Sequence, residues 1–372
     1  MRIGIDARFY NESGVGRYLR NLIYNLKALD KKNEYVIFLL PEDYKKFEAS
    51  GNFQVVCADF KWYGFAEQFK FPKLLNKYRL DLVHFPHFNV PIFYAGDFVV
   101  TIHDLIHQHF QMKRVTRLNP LFYIFKHFGY KRVFKNAITK SKKTLVPSNY
   151  VSDLLVREWK VSEKKITVTP EAVDNNISLI AGKINKNRIE QIIKKFNIRS
   201  PYIFYVGNAH PHKNIEGLIK TFLILRRKYQ HLQLVLSGSD HYFWQRIRKE
   251  YQHKDIIFTN QVSDEELVAL YKGAQVFVLP SFEEGFGIPL LEAMVCGAPV
   301  VSSNRGSLPE VGADAAFYFN PIDLTDMTDK IGQVLRSEKL RRDLIKKGNE
   351  RIKLFSWEKL AKQTLEIYNQ CF

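Results

Sequence analysis

Val276-Phe-Val-Leu-Pro-Ser-Phe-Glu-Glu-Gly-Phe-Gly-Ile-Pro-Leu-Leu-Glu-Ala293 runs from an unbroken apolar stretch through a glycine-bearing turn into a helical pattern. Val276–Leu279 reads as a strand buried on both faces, because a strand with one wet face would alternate polar and apolar residues. Pro289 suits the first turn of a helix, where its missing N–H would have no partner in any case. Strand, tight turn and helix in that order is the unit from which parallel α/β sheets are built. The backbone amides of Gly285, Phe286, Gly287 and Ile288 are then left to face an anion or sugar hydroxyls at the mouth of the sheet. Glu284 falls in the turn and Glu292 about one turn into the helix, so one carboxylate can meet a sugar while the other reaches a ribose diol.

The same alternation extends outward in both directions. Upstream, short apolar runs occur at Ile3–Ile5, Tyr35–Leu40, Phe53–Val56, Leu82–Phe85, Phe98–Ile102, Thr144–Val146 and Ile166–Val168. Around the quoted stretch they recur at Tyr202–Val206, Leu232–Leu236, Ile256–Phe258, Pro299–Ser302 and Ala316–Phe319. Helix-length amphipathic segments separate many of them, among them Gly16–Leu29, Pro120–Ile138, Asn214–Lys228, Asp264–Gly273 and Asp323–Leu335. Two successive sets predict two doubly wound α/β domains, and 372 residues are enough for two cores. The expected division is 1–179 and 180–355, within a polar, Asn/Lys-rich stretch from Asp174 to Ser200. A last helix, 356–372, begins with Ser356 as its N-cap.

Composition excludes several classes. A hydrophobic content of 46% with 25% charged residues is globular rather than disordered or fibrous. The apolar runs fall far short of the roughly 20 residues of a membrane span. Asp6 and Arg8 interrupt any secretion-signal core at the N-terminus. Cys57, Cys296 and Cys371 are too few and too scattered for a disulfide framework or a zinc site. These features imply a reduced, cytoplasmic protein. The net charge of +18 is concentrated: Leu105 to Ser152 holds ten Lys or Arg and no Asp or Glu, interleaved with Phe and Tyr. Leu121, Phe125, Phe128 and Tyr130 can share part of one helical side, with Lys126, Lys131 and Lys135 on its flank. That pattern suits an anionic bilayer surface. It could also serve nucleic acid, but no nucleic-acid-binding motif accompanies it.

Three further strings carry chemistry. Tyr205-Val-Gly-Asn-Ala-His-Pro-His-Lys-Asn214 is a strand end, a glycine loop and a helix start, where Lys213 and a helix N-terminus converge as a diphosphate would require. Asn11-Glu-Ser-Gly-Val-Gly-Arg-Tyr18 puts Gly14 and Gly16 ahead of a helix, where backbone can approach a phosphate. Val99-Val-Thr-Ile-His-Asp-Leu105 sets His103 and Asp104 at the carboxyl end of a parallel strand, facing the ligand crevice.

The string from Pro280 to Ala293 resembles the E-x7-E signature of the retaining family-4 glycosyltransferases, with Glu284 and Glu292 as its glutamates. Cys296-Gly-Ala-Pro-Val-Val-Ser and Gly306-Ser-Leu-Pro-Glu-Val311 match that family's next segment. Phe258-Thr-Asn-Gln-Val-Ser-Asp-Glu-Glu-Leu267 looks like its base-binding loop, with Val262 the candidate contact. The resemblance covers essentially the whole chain. It implies a GT-B fold: two Rossmann-like domains facing a cleft, with the final helix crossing back to the first domain. It implies a nucleotide-sugar donor held by Gly14, Gly16, Asn208, Lys213, Val262, Glu284, Gly285, Phe286, Gly287 and Glu292, and transfer without a metal or other cofactor. His103 and Glu284 are its catalytic candidates, His103 meeting the donor sugar, and Asp104 is its acceptor contact. Where the family often has arginine after the glycine of the second motif, this chain has Asn208.

The resemblance leans toward mannosyltransferases, hence GDP-mannose. It also implies a glycan or lipid-linked acceptor of lipopolysaccharide or exopolysaccharide biosynthesis, and a peripheral position at the inner face of the cell membrane. Same-face attack is the retaining mechanism it favours; a double displacement through Glu284 stays open. Other readings of the chain are a GT-B phosphorylase, a nucleotide-sugar epimerase, or an inactive basic module that binds membrane or nucleic acid.

Overall fold

The computed structural model describes residues 1–110, 120–239 and 242–372, with backbone alone at 13 and 120–127. It divides into two compact units, Met1–Glu171 with Ser356–Phe372, and Ala172–Phe355.

The first unit carries seven strands: β1 (Arg2–Asp6), β2 (Glu34–Leu39), β3 (Phe53–Cys57), β4 (Leu82–Phe85), β5 (Phe98–Thr101), β6 (Lys143–Val146) and β7 (Ile166–Val168). All pair in parallel, in the order β3-β2-β1-β4-β5-β6-β7. The second unit carries β8 (Tyr202–Val206), β9 (Gln233–Ser237), β10 (Ile256–Asn260), β11 (Val276–Leu279), β12 (Val300–Ser303) and β13 (Ala316–Phe319). These are also parallel, in the order β10-β9-β8-β11-β12-β13. Each strand coincides with an apolar run read from the sequence. In both sheets the order reverses beside the first strand, and loops diverge there to leave a crevice at the strands' carboxyl ends.

The last helix, Trp357–Gln370, is N-capped by Ser356, whose hydroxyl accepts from Lys359 N–H. It belongs to the first unit: the Tyr368 hydroxyl lies 2.6 Å from His84 Nδ1, and Trp357 meets the Tyr18 ring edge-on. The crossing back implied by the resemblance is therefore present.

The stretch from Asp174 to Ser200 is not a linker. It forms helices Asn175–Lys183 and Lys186–Lys195, which bury Ile177, Ala181 and Ile192. Arg188–Glu265 and Lys195–Glu266 ion pairs fasten the second of them to helix Asp264–Gly273. The units accordingly part between Glu171 and Ala172 rather than after residue 179. The composition was misleading because short amphipathic helices with one narrow apolar stripe are mostly polar.

Arg8 is buried whole at the end of β1. Its guanidinium donates to both Asp6 oxygens at 2.8 Å, to Glu67 Oε1 at 2.7 Å and to the Phe60 carbonyl at 2.9 Å. Two carboxylates around one guanidinium satisfy it where water cannot.

Candidate active site

β8 and β11 are neighbours at the point where the second sheet reverses, so their carboxyl-end loops converge. The loop after β8 turns at Gly207, passes through a single 3-10 turn, Pro211–Lys213, and enters helix Ile215–Lys228 at Asn214 in the left-handed region. The loop after β11 ends at Gly287 (φ 95°), which caps helix Ile288–Val295. The left-handed φ of Gly287 demands glycine, and a side chain there would put its Cβ 2.6 Å from a Leu308 methyl, which would have to shift.

The loops are stitched together. Phe282 N–H donates to the His212 carbonyl at 2.7 Å, and Asn214 Nδ2 donates to the carbonyls of Pro280 and Pro321. Lys213 Nζ donates to both oxygens of Glu284, at 2.7 and 2.8 Å, and Ser281 Oγ donates to Oε1 at 2.6 Å. Behind Glu284, Ser307 donates through N–H and Oγ to its carbonyl, and a Cβ at Gly306 would lie 2.7 Å from its nitrogen. The turn is thus braced from two sides. The two groups expected to engage phosphate and sugar separately are paired with each other in the free protein.

Glu292 is 3% exposed, and its Oε2 accepts from the Tyr271 hydroxyl at 3.0 Å. Burial, then the Glu292 charge, push the Cys296 thiol up to about 12. Gly285 and Phe286 are buried, and Phe286 meets Phe355 edge-on at 5.8 Å. Val262 is half-buried beyond the carboxyl end of edge strand β10, ahead of the Ser263–Glu266 capping box of helix Asp264–Gly273. Asn208 is exposed; its side chain accepts from His210 N–H, and its carbonyl takes the Tyr205 hydroxyl at 2.8 Å.

In the first unit the glycines do not precede a helix. Helix Ser13–Leu29 begins before them, so both lie in its first turn. A Cβ at Gly16 would come within 2.5 Å of the Tyr10 carbonyl, so this glycine serves close packing of the β1 loop. Gly14 has open space and remains accessible.

His103 does not offer a ring nitrogen to a ligand. Nδ1 lies 2.8 Å from Glu171 Oε1, and Nε2 lies 2.9 Å from the Pro86 carbonyl. Both partners only accept, so satisfying both requires protons on both nitrogens, an imidazolium. Burial alone would lower its pKa, but the Glu171 hydrogen bond and charge, with Asp104 and the Pro86 carbonyl, raise it above the ordinary value. Its neighbours are driven the other way: burial and then the His103 charge push His84 and His87 down to about 3. Asp104, expected at the acceptor, accepts through Oδ1 from Ile106 N–H at 3.0 Å, closing the turn that leads into the short helix Ile106–His109.

Sequence reasoning missed Glu171, Tyr271, Ser281 and Ser307. Ser281 and Ser307 stand within the quoted motifs, where a hydroxyl beside a turn carboxylate was the available signal. Glu171 and Tyr271 carry no local signal. Among the described residues, no group of three or more His, Cys, Asp or Glu is placed to hold a metal ion, and no helix is long and apolar enough to cross a membrane.

A parallel-sheet unit with a lysine–glutamate pair at its switch point, and a second such unit completed by the C-terminal helix, have the architecture of the GT-B fold. Residues 180–351 match the family described as "Glycosyl transferases group 1", and residues 13–176 match "Glycosyltransferase Family 4". The chain belongs to the family-4 glycosyltransferases, and several of the relatives it is similar to are mannosyltransferases. O-antigen chain mannosyltransferase B of Escherichia coli is 38% identical over 186 residues, 48% of this chain and 48% of that one. O-antigen chain mannosyltransferase RfbU of Salmonella typhimurium is 29% identical over 267 residues, 70% of this chain and 67% of that one. The first alignment thus spans about half the relative's length. In fold, the Anabaena Alr3699/HepE structure in complex with UDP-glucose has a TM-score of 0.76 at 15% identity, covering 100% of both chains. The phosphorylase, epimerase and inactive-module readings are not favoured by these relatives.

Proposed function

We propose that this chain transfers a hexosyl group, mannosyl in the first instance, from a nucleoside-diphosphate sugar to a glycan or lipid-linked acceptor in surface polysaccharide synthesis, with retention of anomeric configuration. The observation that carries the proposal is the Lys213–Glu284 pair held beneath a glycine turn at a sheet switch point. The names of the two mannosyltransferase relatives support the sugar, and the UDP-glucose complex of a protein with the same fold supports the donor class.

In this reading Lys213 and the amides around Gly285–Ile288 face the diphosphate. As the anomeric C–O bond breaks, its electron pair passes to the phosphate oxygen, and Lys213 neutralises the growing charge where water is excluded. Glu284 accepts from the sugar hydroxyls, and Glu292, oriented by Tyr271, accepts from the ribose. The acceptor hydroxyl attacks the oxocarbenium-like carbon from the face the phosphate leaves, and the departing oxygen takes its proton. These groups supply the charge stabilisation themselves, so turnover is expected to persist in a chelator. His103, held between Glu171 and the Pro86 carbonyl, contributes a positive charge below its raised pKa rather than a free ring nitrogen.

The acid-free block 105–152 is proposed to rest on the anionic inner face of the cell membrane. Lys131, Arg132 and Lys135 are exposed on helix Pro120–Lys140. Residues 111–119 and the side chains of 120–127, with Leu121, Phe125 and Lys126, lie outside the described residues. Phe128 and Tyr130 do not share a side: Phe128 is exposed, whereas Tyr130 packs on Phe88 at 5.0 Å, because two helical steps turn through about 200°.

The deciding experiment is a thermal-shift panel of nucleotides and nucleotide sugars, followed by NMR of the product's anomeric configuration. A ligand at 100 times its dissociation constant adds about 2.7 kcal/mol. GDP-mannose is expected to give the largest shift and an α-linked product; a flat panel, or an inverted product, rejects the reading.

A further inference from the structure

Helix Phe65–Lys77 of the first unit has a dry face and an unusual wet one. Its inner side buries Glu67, Phe71, Pro72 and Leu75. On the outer side Phe65 is 86% exposed and Phe69, one turn on, is 52% exposed. Phe93, 59% exposed, reaches over from the loop after β4 and stacks on Phe69, ring centroids 4.7 Å apart and planes 24° from parallel. Gln68 accepts from Ile92 N–H at 2.8 Å and pins that loop to the helix, so the cluster is built into the fold. Tyr63, also exposed, stands just before the helix.

The exposed charges on this helix have one sign. From Phe60 to Leu80 the chain has four lysines (Lys61, Lys70, Lys73 and Lys77), Arg79 and a single acid, Glu67. That acid is turned inward, accepting from Arg8 at 2.7 Å, Asn89 at 2.6 Å and Tyr63 N–H at 2.8 Å. The lysines are exposed, and Lys73 continues the Phe65, Phe69 row at the same four-residue spacing.

Phenyl rings have no polar edge to satisfy in water, and several together on a monomer's surface mark a binding face. A sugar-stacking platform would set carboxylates beside the rings to take hydroxyls; this helix exposes none, and the Gln68 carbonyl is taken by Ile92 N–H. Apolar rings bordered by ammonium groups are complementary to the headgroup–acyl boundary of an anionic bilayer. We propose that Phe65, Phe69 and Phe93 form an interfacial anchor that inserts into an anionic membrane, with Lys70, Lys73 and Lys77 engaging lipid phosphates. The anchor deepens the membrane reading of the basic block and rests on it only for orientation. It adds an apolar attachment that salt does not screen, whereas the block's attachment is electrostatic. A run of rings links the two faces: Tyr63 to His87, His87 to Phe88, and Phe88 to Tyr130 on the basic helix.

The test is co-sedimentation of the full chain with vesicles of equal parts phosphatidylcholine and phosphatidylglycerol, at low and at high salt. The variants are Phe65→Ser/Phe69→Ser/Phe93→Ser and Lys131→Gln/Arg132→Gln/Lys135→Gln, with Phe65→Ser alone and Phe65→Leu as controls. Each ring transferred from water to the acyl boundary strengthens partition roughly tenfold. The triple serine variant is expected to lose at least about a hundredfold, including the salt-resistant part, and Phe65→Leu to retain binding. The triple glutamine variant should lose binding chiefly at low salt. Wild-type binding abolished by high salt, or serine variants that partition like wild type, overturns the anchor while leaving the basic face intact. Unchanged anchor-dependent binding with no loss in the glutamine variant rejects the basic face instead. Serine variants that keep vesicle binding but lose turnover on a water-soluble acceptor would make the cluster a sugar platform and overturn the proposal. Should the triple serine variant misfold, Phe65→Ser, at a ring that is almost wholly exposed, is expected to show the tenfold loss by itself.

Discussion

Lys213 and Glu284 neutralise one another: the ammonium lies 2.7 and 2.8 Å from the two carboxylate oxygens, with both side chains largely shielded from water. A donor sugar can replace the lysine on Glu284 with hydroxyl donors, while its diphosphate takes the lysine. A spent nucleoside diphosphate lacks the donor-sugar hydroxyls and brings one more negative charge, so it meets Glu284 as a like charge. Glu284→Gln should therefore bind the bare nucleoside diphosphate more tightly, by about 1.4 kcal/mol or tenfold, while turnover falls. Isothermal calorimetry against nucleotide and nucleotide sugar reads both effects, and an unchanged or weaker nucleotide affinity sinks the exchange argument.

Removing the lysine instead strands a buried carboxylate. Lys213→Ala should cost about 3 kcal/mol of folding stability and weaken diphosphate binding with little change in nucleoside binding. Chemical denaturation and calorimetry on the same variant separate the two losses.

Glu292→Ala should weaken nucleotide binding by about 1–3 kcal/mol through the lost charge-assisted hydrogen bonds. Tyr271→Phe removes only the donor that orients the carboxylate, and should cost about 1 kcal/mol. If nucleotide affinity is untouched in both, Glu292 is a core group and the ribose is held elsewhere.

The His103–Glu171 pair gives stability a pH dependence of defined sign. The folded-state pKa is raised, so the pair's contribution is complete below the ordinary histidine value and is lost as pH rises through the raised one. Denaturation midpoints of wild type should fall on alkalinisation from neutral pH relative to Glu171→Gln, which keeps an acceptor and loses the charge. Parallel pH profiles for the two proteins would mean that His103 is neutral.

Gly14 and Gly16 should separate cleanly. Gly16→Ala forces its Cβ onto the Tyr10 and Phe9 carbonyls and should destabilise the fold by about 2 kcal/mol. Gly14→Ala enters open space at an exposed position, with stability within about 0.5 kcal/mol of wild type. Reduced turnover in Gly14→Ala at unchanged stability would identify it as the ligand-facing glycine.

The two parallel sheets were legible in the chain because a strand covered on both faces must be apolar along its whole length; β11 and β8 announce themselves as Val276–Leu279 and Tyr202–Val206. The turn glycine Gly287 and the glutamates of the quoted stretch were legible because a left-handed cap leaves a local residue signature. Helices Asn175–Lys183 and Lys186–Lys195 were not, since a narrow apolar stripe on a polar helix resembles a linker in composition.

What the sequence by itself determined is therefore the set of elements, their parallel pairing and the neighbourhood of each motif, all consequences of spacing within a few residues. Which side chain holds which was decided by tertiary structure alone. Lys213 lies 71 positions before Glu284, Glu171 lies 68 after His103, and Tyr368 lies 284 after His84. Such pairings depend on strand order and on the aim of each loop at the sheet's edge. Hydrogen bonds and charge pairs act over a few ångströms of space, and they leave no periodicity along the chain by which to foresee them.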